Sequence, residues 1–404
     1  MPLRVSSDPA DLASRPDVAV IGSGIVGLAS AFFASRAGLK VLLLERMQAP
    51  AALTSRRSGE GVRAQWSAAR NIAISLESIA LYRDFEELVG VAGHHAGYRP
   101  IGYLYASRRP DGAAALRERV AFQRSIGLSD VEYLEGTALF EHAPMLAEDA
   151  IGASFRQGDG VIDIDWVIRG YRAAMDADLL LGTEVRSIAS DSGGVTLHTS
   201  RGHISAGAVI VAAGVRAAGL LSAFEDAPEM RTAQSSILRV KADGIPLDHP
   251  TTIDVDIGSF WRPDEGGARI TASFSGRRFV EDGLEDPAPE RGYFDHAIRT
   301  ILPMTPRWRE WSASLRDAHL RTGTFAVTRD GSPVIGALPS ARHVYVNAGY
   351  GGHGVMMSPA GGRRLAGLLA SGRPDPANPF AVERFTDGRP LEPETMTIHL
   401  TDQP

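Results

Sequence analysis

The chain has 404 residues, a formal net charge of −6, 44% hydrophobic and 22% charged residues, and no cysteine. That length exceeds what one simple core usually organises, so two domains are expected, and the acidic balance argues against a nucleic-acid binder, which carries a basic excess. Without cysteine there is no disulfide, no thiolate metal site and no catalytic thiol, and no metal is expected; the composition suits a reducing, cytoplasmic setting. Residues 1–17 lack the basic-then-apolar pattern of a secretory leader. No stretch reaches the roughly 18 apolar residues of a membrane span. Lys40 and Lys241 are the only lysines, so few amines are open to a catalytic role.

Residues 17–46 read DVAVIGSGIVGLASAFFASRAGLKVLLLER. VAVI is a short apolar run suited to a strand buried on both faces. Gly22, Gly24 and Gly27 follow in G-x-G-x-x-G spacing. An apolar stretch at helical spacing then stops at Gly38, and a second buried strand, KVLLLE, brings Glu45 about 20 residues past the glycines. Gly22 suits the tight turn, Gly24 lets backbone approach a pyrophosphate, and Gly27 lets helix and strand pack closely. The helix N-terminus offers N–H groups and a positive dipole to phosphates. Glu45 is placed to accept hydrogen bonds from a ribose, which disfavours a 2′-phosphate and hence NADP. The segment predicts dinucleotide binding and leaves NAD and FAD both open.

Residues 54–88, TSRRSGEGVRAQWSAARNIAISLESIALYRDFEEL, begin as a polar glycine-containing loop and continue as an amphipathic helix with Ile72, Leu76, Ile79 and Leu88 among its apolar positions. YRPIGYLYA (98–106), ILRVKA (237–242), TTIDVDI (251–257) and GARITASF (267–274) read as strands, and PERGYFDHAIRTIL (289–302) as a helix. NAGYGGHGVMMSPAGG (347–362) sets Gly349, Gly351, Gly352 and Gly354 around His353 just before a helical stretch. Such a cluster marks backbone that turns sharply or lies against something. The tail after Pro390 carries two prolines and three threonines and is expected to be extended.

The basic, serine-bearing loop after the second strand resembles the D-amino-acid oxidase superfamily of FAD enzymes. Its SGEGVRAQWS…NIAISLES arrangement is most similar to the branch of sarcosine oxidase β-subunits, bacterial proline dehydrogenases and related mitochondrial FAD proteins. Residues 159–175 resemble that family's segment leading into a helix, 182–221 its strand–hairpin–strand block, and 328–372 its C-terminal flavin block. The resemblance implies an α/β fold: a discontinuous Rossmann-like FAD-binding domain from residues 1–88, 152–222 and 322–404, and an α+β substrate domain from 89–151 and 223–321. The substrate domain is expected to use an antiparallel or mixed sheet, with helices on one face, to cover the flavin.

FAD is expected to be held without a covalent bond. Its contacts would come from Gly22, Gly24, Ile25, Gly27, Glu45, Arg46, Ser58, Val185, Ala213 and Gly214, and from Gly349, Gly351, Gly352, His353, Gly354 and Val355. The helix from about Val355 would aim its N–H groups at the pyrimidine edge, where reduced flavin carries negative charge. Arg63, Arg262, His353 and Tyr350 are the candidates for the chemistry. Four positions depart from the family. Phe325 stands where several members place an arginine for the substrate carboxylate. Met356 stands where monomeric sarcosine oxidases place a lysine, Gly323 where they place a flavin-linking cysteine, and Arg269 where they place an oxygen-activating lysine. Trp66, Trp261 and Phe325 suggest a substrate bulkier or more apolar than glycine. The implied activity is removal of a hydride from the C–H next to nitrogen of an amino acid or secondary amine, with oxygen, a quinone or a partner protein as acceptor. The alternatives are a 2-hydroxy-acid oxidase or dehydrogenase and a flavin-bearing assembly or subunit protein.

Overall fold

The computed structural model describes residues 3–6, 15–272, 278–373, 375–388 and 392–396. Its first sheet has seven strands in the order 4–6, 177–180, 41–44, 18–21, 208–211, 344–348, 334–337. All pairings are parallel except the last. Val18–Ile21, Val41–Leu44 and Ala208–Val211 are buried at every position, as strands covered on both faces require. Side-chain alternation sorts them between the two faces. Val18, Val20 and Leu43 pack with helices Ile25–Arg36 and Gly354–Ser371. Ala19, Ile21, Leu42 and Leu44 face a three-stranded antiparallel sheet of Val185–Asp191, Gly194–Thr199 and Gly202–Ala206. Strand 18–21 has strand 41–44 on one side and strand 208–211 on the other, so a crevice opens at its carboxyl end.

The second sheet is mixed and has nine strands. Eight follow the order 278–279, 230–241, 267–271, 259–264, 251–254, 103–107, 152–156, 132–135, and Asp317–Thr328 pairs along the whole of Met230–Lys241. Among the described residues only strands 103–107 and 251–254 pair in parallel. The strands 152–156 and 317–328 both belong to this sheet, so the boundaries expected at 152 and 322 fall at the start of one and inside the other. Register fixes what each face presents. Tyr105 lies opposite Ile253, Ile253 opposite Phe260, and Ser235 opposite Gly323, so these side chains share the front face. Leu104, Trp261, Ile270 and Leu238 share the back.

Helices cover both faces of this sheet, a correction to the one-face expectation. Tyr293–Ile301 and Trp308–Ala313 close the back over Trp261 and Ile270. Pro110–Ser125 packs at the front, where its Leu116 and Val120 join Tyr103 and Tyr105. Its apolar positions are spaced for a helix, yet charged residues separate them and hide it among polar neighbours. Trp261 was expected to bear on substrate size. It is instead part of the back-face core, edge-on to Trp308 at 5.5 Å and Trp311 at 5.6 Å. Residues 392–396 make no helix or strand, and Pro390, Leu391 and residues 397–404 of the tail lie outside the described residues, as do positions 273 and 274 of the predicted GARITASF strand.

His249 stacks on Trp261 with ring centroids 4.6 Å apart. Burial pulls its imidazole down to about 4, whereas an unfolded histidine titrates near 6.5. The unfolded chain therefore takes up this proton first as pH falls. The stability due to a neutral His249 is complete above about pH 6.5 and is lost toward pH 4. His249→Phe should flatten that part of the stability–pH curve, by on the order of 3 kcal/mol across the window. Denaturant midpoints of both proteins from pH 4 to 8 check this; parallel curves would refute it.

Candidate active site

Two connected chambers lie between the sheets. The outer one is a cleft of about 1290 Å³, including space open to solvent, at the carboxyl end of strand 18–21. Gly22, Gly24, Ile25, Glu45, Arg46, Val185, Ala213 and Gly214 line it, as do Gly349, Gly351, Gly352, Gly354 and Val355 of the second glycine loop. Helix 25–36 begins at Gly24 and helix 354–371 at His353, each with no cap from the side chain of its own N-cap residue and no acidic residue in its first turn. Several N–H groups at a helix start have no intrahelical partner, so both ends favour negative charge. Ser55 Oγ accepts the Ile25 N–H at 2.9 Å and lines the cleft as well. The sequence pattern did not single Ser55 out; it approaches the helix only because the loop folds back over the glycine turn.

The Glu45 carboxylate accepts from Ser23 N at 2.9 Å, Ser23 Oγ at 2.8 Å and Met47 N at 2.8 Å, which fixes its orientation in the cleft wall. Arg46 is ion-paired with Glu285. Gly27 does not line the cleft. A Cβ there would lie 1.9 Å from the Gly22 carbonyl, so its role is the close packing of helix on turn.

The inner chamber is lined by the front face of the nine-stranded sheet. It meets the cleft at Thr54, Ser58, Phe325, Gly352 and Val355, all of which line both. Gly352 has φ +84, and a Cβ on it would lie 3.4 Å from the Phe325 ring. Arg63, His353, Gly323 and Met356 line this inner space, so His353 belongs to it rather than to the outer cleft. Arg63 is buried, with its guanidinium 3.6 Å from the Trp66 ring centroid. It donates to the backbone oxygens of Gln65 at 2.6 Å and Met396 at 2.8 Å. His353 meets Trp66 edge-on at 4.7 Å. Trp66 itself is fully buried behind these two and lines neither chamber.

Two candidates for the chemistry are turned elsewhere. Arg262 shares the front face but lies outside both chambers, donating to Gly59 O at 2.7 Å and Pro263 O at 2.9 Å. Burial, with Arg269 adding to it, pushes the Arg262 guanidinium down to about 10. Arg269 pairs with Glu60 at 2.7 Å and Asp264 at 3.1 Å and also lies outside the chambers. Both arginines therefore fasten the 58–60 loop. Tyr350 lines the outer cleft, but its hydroxyl donates to Asn347 Oδ1 at 2.6 Å and is pushed up by burial.

The tail supplies residues that the sequence pattern gave no reason to expect. Glu394 accepts from Ser67 N at 2.8 Å, Ser67 Oγ at 2.7 Å, Ala68 N at 3.0 Å and Asn71 Nδ2 at 3.1 Å, just before helix Ala69–Arg83. This holds Thr395 and Met396 against the inner chamber.

A family model described as FAD dependent oxidoreductase (DAO) matches residues 17–368, and the chain belongs to that family of FAD-dependent enzymes. It is 28% identical to glycine oxidase from Geobacillus kaustophilus over 96% of this chain and 98% of that one. It is 24% identical to sarcosine oxidase subunit beta from Rhodobacter capsulatus over 93% and 90%. The fold matches the crystal structure of the Geobacillus kaustophilus glycine oxidase with a TM-score of 0.80 at 25% identity, covering 92% of this chain and 99% of that one. It matches L-proline dehydrogenase from P. horikoshii with a TM-score of 0.81 at 21% identity, covering 93% and 99%. Among the described residues no helix is long and apolar enough to cross a membrane.

Glu394→Ala should leave the Ser67 and Ala68 N–H groups without their acceptor, at a cost of about 1–3 kcal/mol, and free segment 392–396 from the chamber wall. A lower denaturation midpoint and faster proteolytic cleavage in that segment are the expected readings. An unchanged midpoint with an unchanged cleavage pattern would contradict the assignment.

Proposed function

We propose that this FAD-dependent oxidoreductase oxidises an amino acid or a secondary amine at the C–H bond next to nitrogen, giving an imine that water hydrolyses. One observation carries the reading. The inner chamber opens directly onto the glycine loop and, among the described residues, is lined by Arg63 and Arg119, which have no carboxylate bonded to them, while its Arg57 and Glu60 are already paired with Asp286 and Arg269. A positive field next to the reacting carbon disfavours an ammonium and keeps the amine neutral, the state from which hydride can leave. The relatives named above support the same class, and none of their names concerns a hydroxy acid. FAD, when bound, supplies the hydride acceptor.

The cleft's residues fit that cofactor. The helix start at Ile25, whose dipole and remaining N–H groups face the cleft beside Ser55, suits its diphosphate, and Glu45 its ribose. Val185 would approach the adenine through backbone groups, and the uncapped N-terminus at Gly354 suits the pyrimidine edge of the ring. In this division of labour the seven-stranded sheet carries the cofactor and the nine-stranded sheet carries the substrate. Gly323 lines the chamber where a linking cysteine would stand, which supports non-covalent retention. Oxygen, a quinone or a partner protein takes the electrons onward. The absence of cysteine supports a cytoplasmic site of action.

Anaerobic mixing of the yellow enzyme with amines, D- and L-amino acids and 2-hydroxy acids tests the reading. Amine or amino-acid donors are expected to bleach the flavin. Bleaching by hydroxy acids alone would transfer the assignment to the alternative chemistry, and no bleaching at all would favour a subunit with little turnover of its own. Gly24→Val offers a second check. A Cβ at Gly24 meets only Ser55 Oγ, at 3.4 Å, so the variant should fold, yet its larger side chain occupies the place proposed for the diphosphate. It should purify colourless with little change in the apoprotein's melting temperature; a fully yellow variant would show that the diphosphate lies elsewhere.

A further inference from the structure

We propose that Arg119 and Tyr105 together hold the substrate's carboxylate, on the wall of the inner chamber built by helix 110–125 and strand 103–107. The inference rests on the amine-oxidation reading and narrows its substrate to an acid-bearing amine.

Three arginines line the chamber, and two are committed. Arg57 pairs with Asp286 at 2.7 Å and donates to Thr322 O at 3.1 Å. Arg63 gives its two terminal nitrogens to backbone oxygens. Arg119 makes no hydrogen bond and no ion pair among the described residues, although it is partly withdrawn from solvent and burial pushes its guanidinium below the usual arginine range. A guanidinium on a chamber wall with no carboxylate bonded to it is open to an anion. Glu394 is close enough for its charge to be felt, but its carboxylate is already filled by donors at residues 67, 68 and 71.

The second observation is independent of charge. Tyr105 is 5% exposed and lines the same chamber, and its hydroxyl, closed off from solvent, has no hydrogen-bond partner among the described residues. Buried hydroxyls are nearly always paired, so a missing partner is expected here. Burial keeps the phenol protonated and able to donate. The charges of Arg63 and, more weakly, Arg119 act on Tyr105, and the helix that carries Arg119 packs on Tyr105's strand through Leu116 and Val120. A guanidinium offers a flat pair of N–H donors, and a phenol adds one O–H; a carboxylate accepts all of them, whereas an ammonium could accept none. Phe325 and Met356, where the family resemblance places cationic side chains, are apolar and line the chamber. The acid group of the substrate is thus received by the sheet-and-helix wall rather than beside the glycine loop.

The test uses the FAD-loaded enzyme with acetate as the probe, read by the shift in melting temperature with acetate concentration. It adds anaerobic bleaching by three matched pairs: glycine and methylamine, sarcosine and dimethylamine, L-proline and pyrrolidine. Arg119→Met and Tyr105→Phe should each weaken acetate binding, the former by about tenfold or more. For the acid member of a pair that bleaches the wild type, they should raise the concentration needed for half-maximal bleaching. The loss should be larger for the acid member than for the paired plain amine, and Arg119→Lys, which keeps the charge, should restore part of the affinity. FAD content and the melting temperature without acetate report folding; should Arg119→Met be unstable, Arg119→Lys and Tyr105→Phe carry the comparison. Wild-type protein that ignores acetate, or variants that bind it as tightly as wild type, would overturn the proposal. Acetate binding that depends on Arg119 in an enzyme bleached by no amine would uphold the anion site and instead defeat the amine-oxidation reading.

Discussion

Two helices begin at the same cleft, and neither N-cap residue, Gly24 or His353, caps its helix with its own side chain, although Ser55 reaches in to take the Ile25 N–H. Helix 25–36 starts where strand 18–21 ends, and helix 354–371 starts more than three hundred residues later, after the second glycine cluster. Backbone N–H groups at a helix start remain costly unless something accepts from them. The fold brings both sets to one elongated space and keeps acidic residues out of both first turns. Much of the remaining architecture maintains that convergence. The parallel sheet aligns the strand that precedes the first turn with the strand that precedes the second, through strand 208–211 between them. The antiparallel meander on the opposite face buries the other side of those strands.

The nine-stranded sheet adds the inner chamber to this cleft. Its long strand pair passes Gly323 and Phe325 beside the junction of the two spaces. Loop 54–60 is fastened from both sides. Thr54 Oγ1 donates to Thr324 O at 2.7 Å, while Arg262 and Arg269 hold Gly59, Ser58 and Glu60. A loop held this way keeps the chamber shape without help from substrate, as preorganised sites require. The charges of the two arginines in that loop's support are balanced by Glu60 and Asp264.

Local patterns made much of this legible in the sequence. The strands at 18–21 and 41–44 and the helix between them follow from apolar spacing, and each glycine cluster sits where backbone must turn. Features that depend on register or on long-range contact stayed hidden. Arg262 stands among the candidates for the chemistry that the family resemblance implies, but its hydrogen bonds to Gly59 and Pro263 turn it to the support of a loop. Arg119 reads in sequence as one more charge on an amphipathic helix; only the packing of that helix on strand 103–107 shows that it faces a chamber. Ser55 and Glu394 cap helices from 30 and more than 320 positions away, distances at which spacing rules carry no information.

The central claim is that one FAD spans the cleft, its diphosphate at one helix start and its ring at the other. The absorption spectrum of the purified protein, with stepwise reconstitution of the stripped apoprotein by FAD, tests it most directly. A flavin spectrum saturating at one FAD per chain, accompanied by a higher melting temperature, is the predicted result. A protein that is colourless as isolated and takes up no FAD on titration would contradict the account.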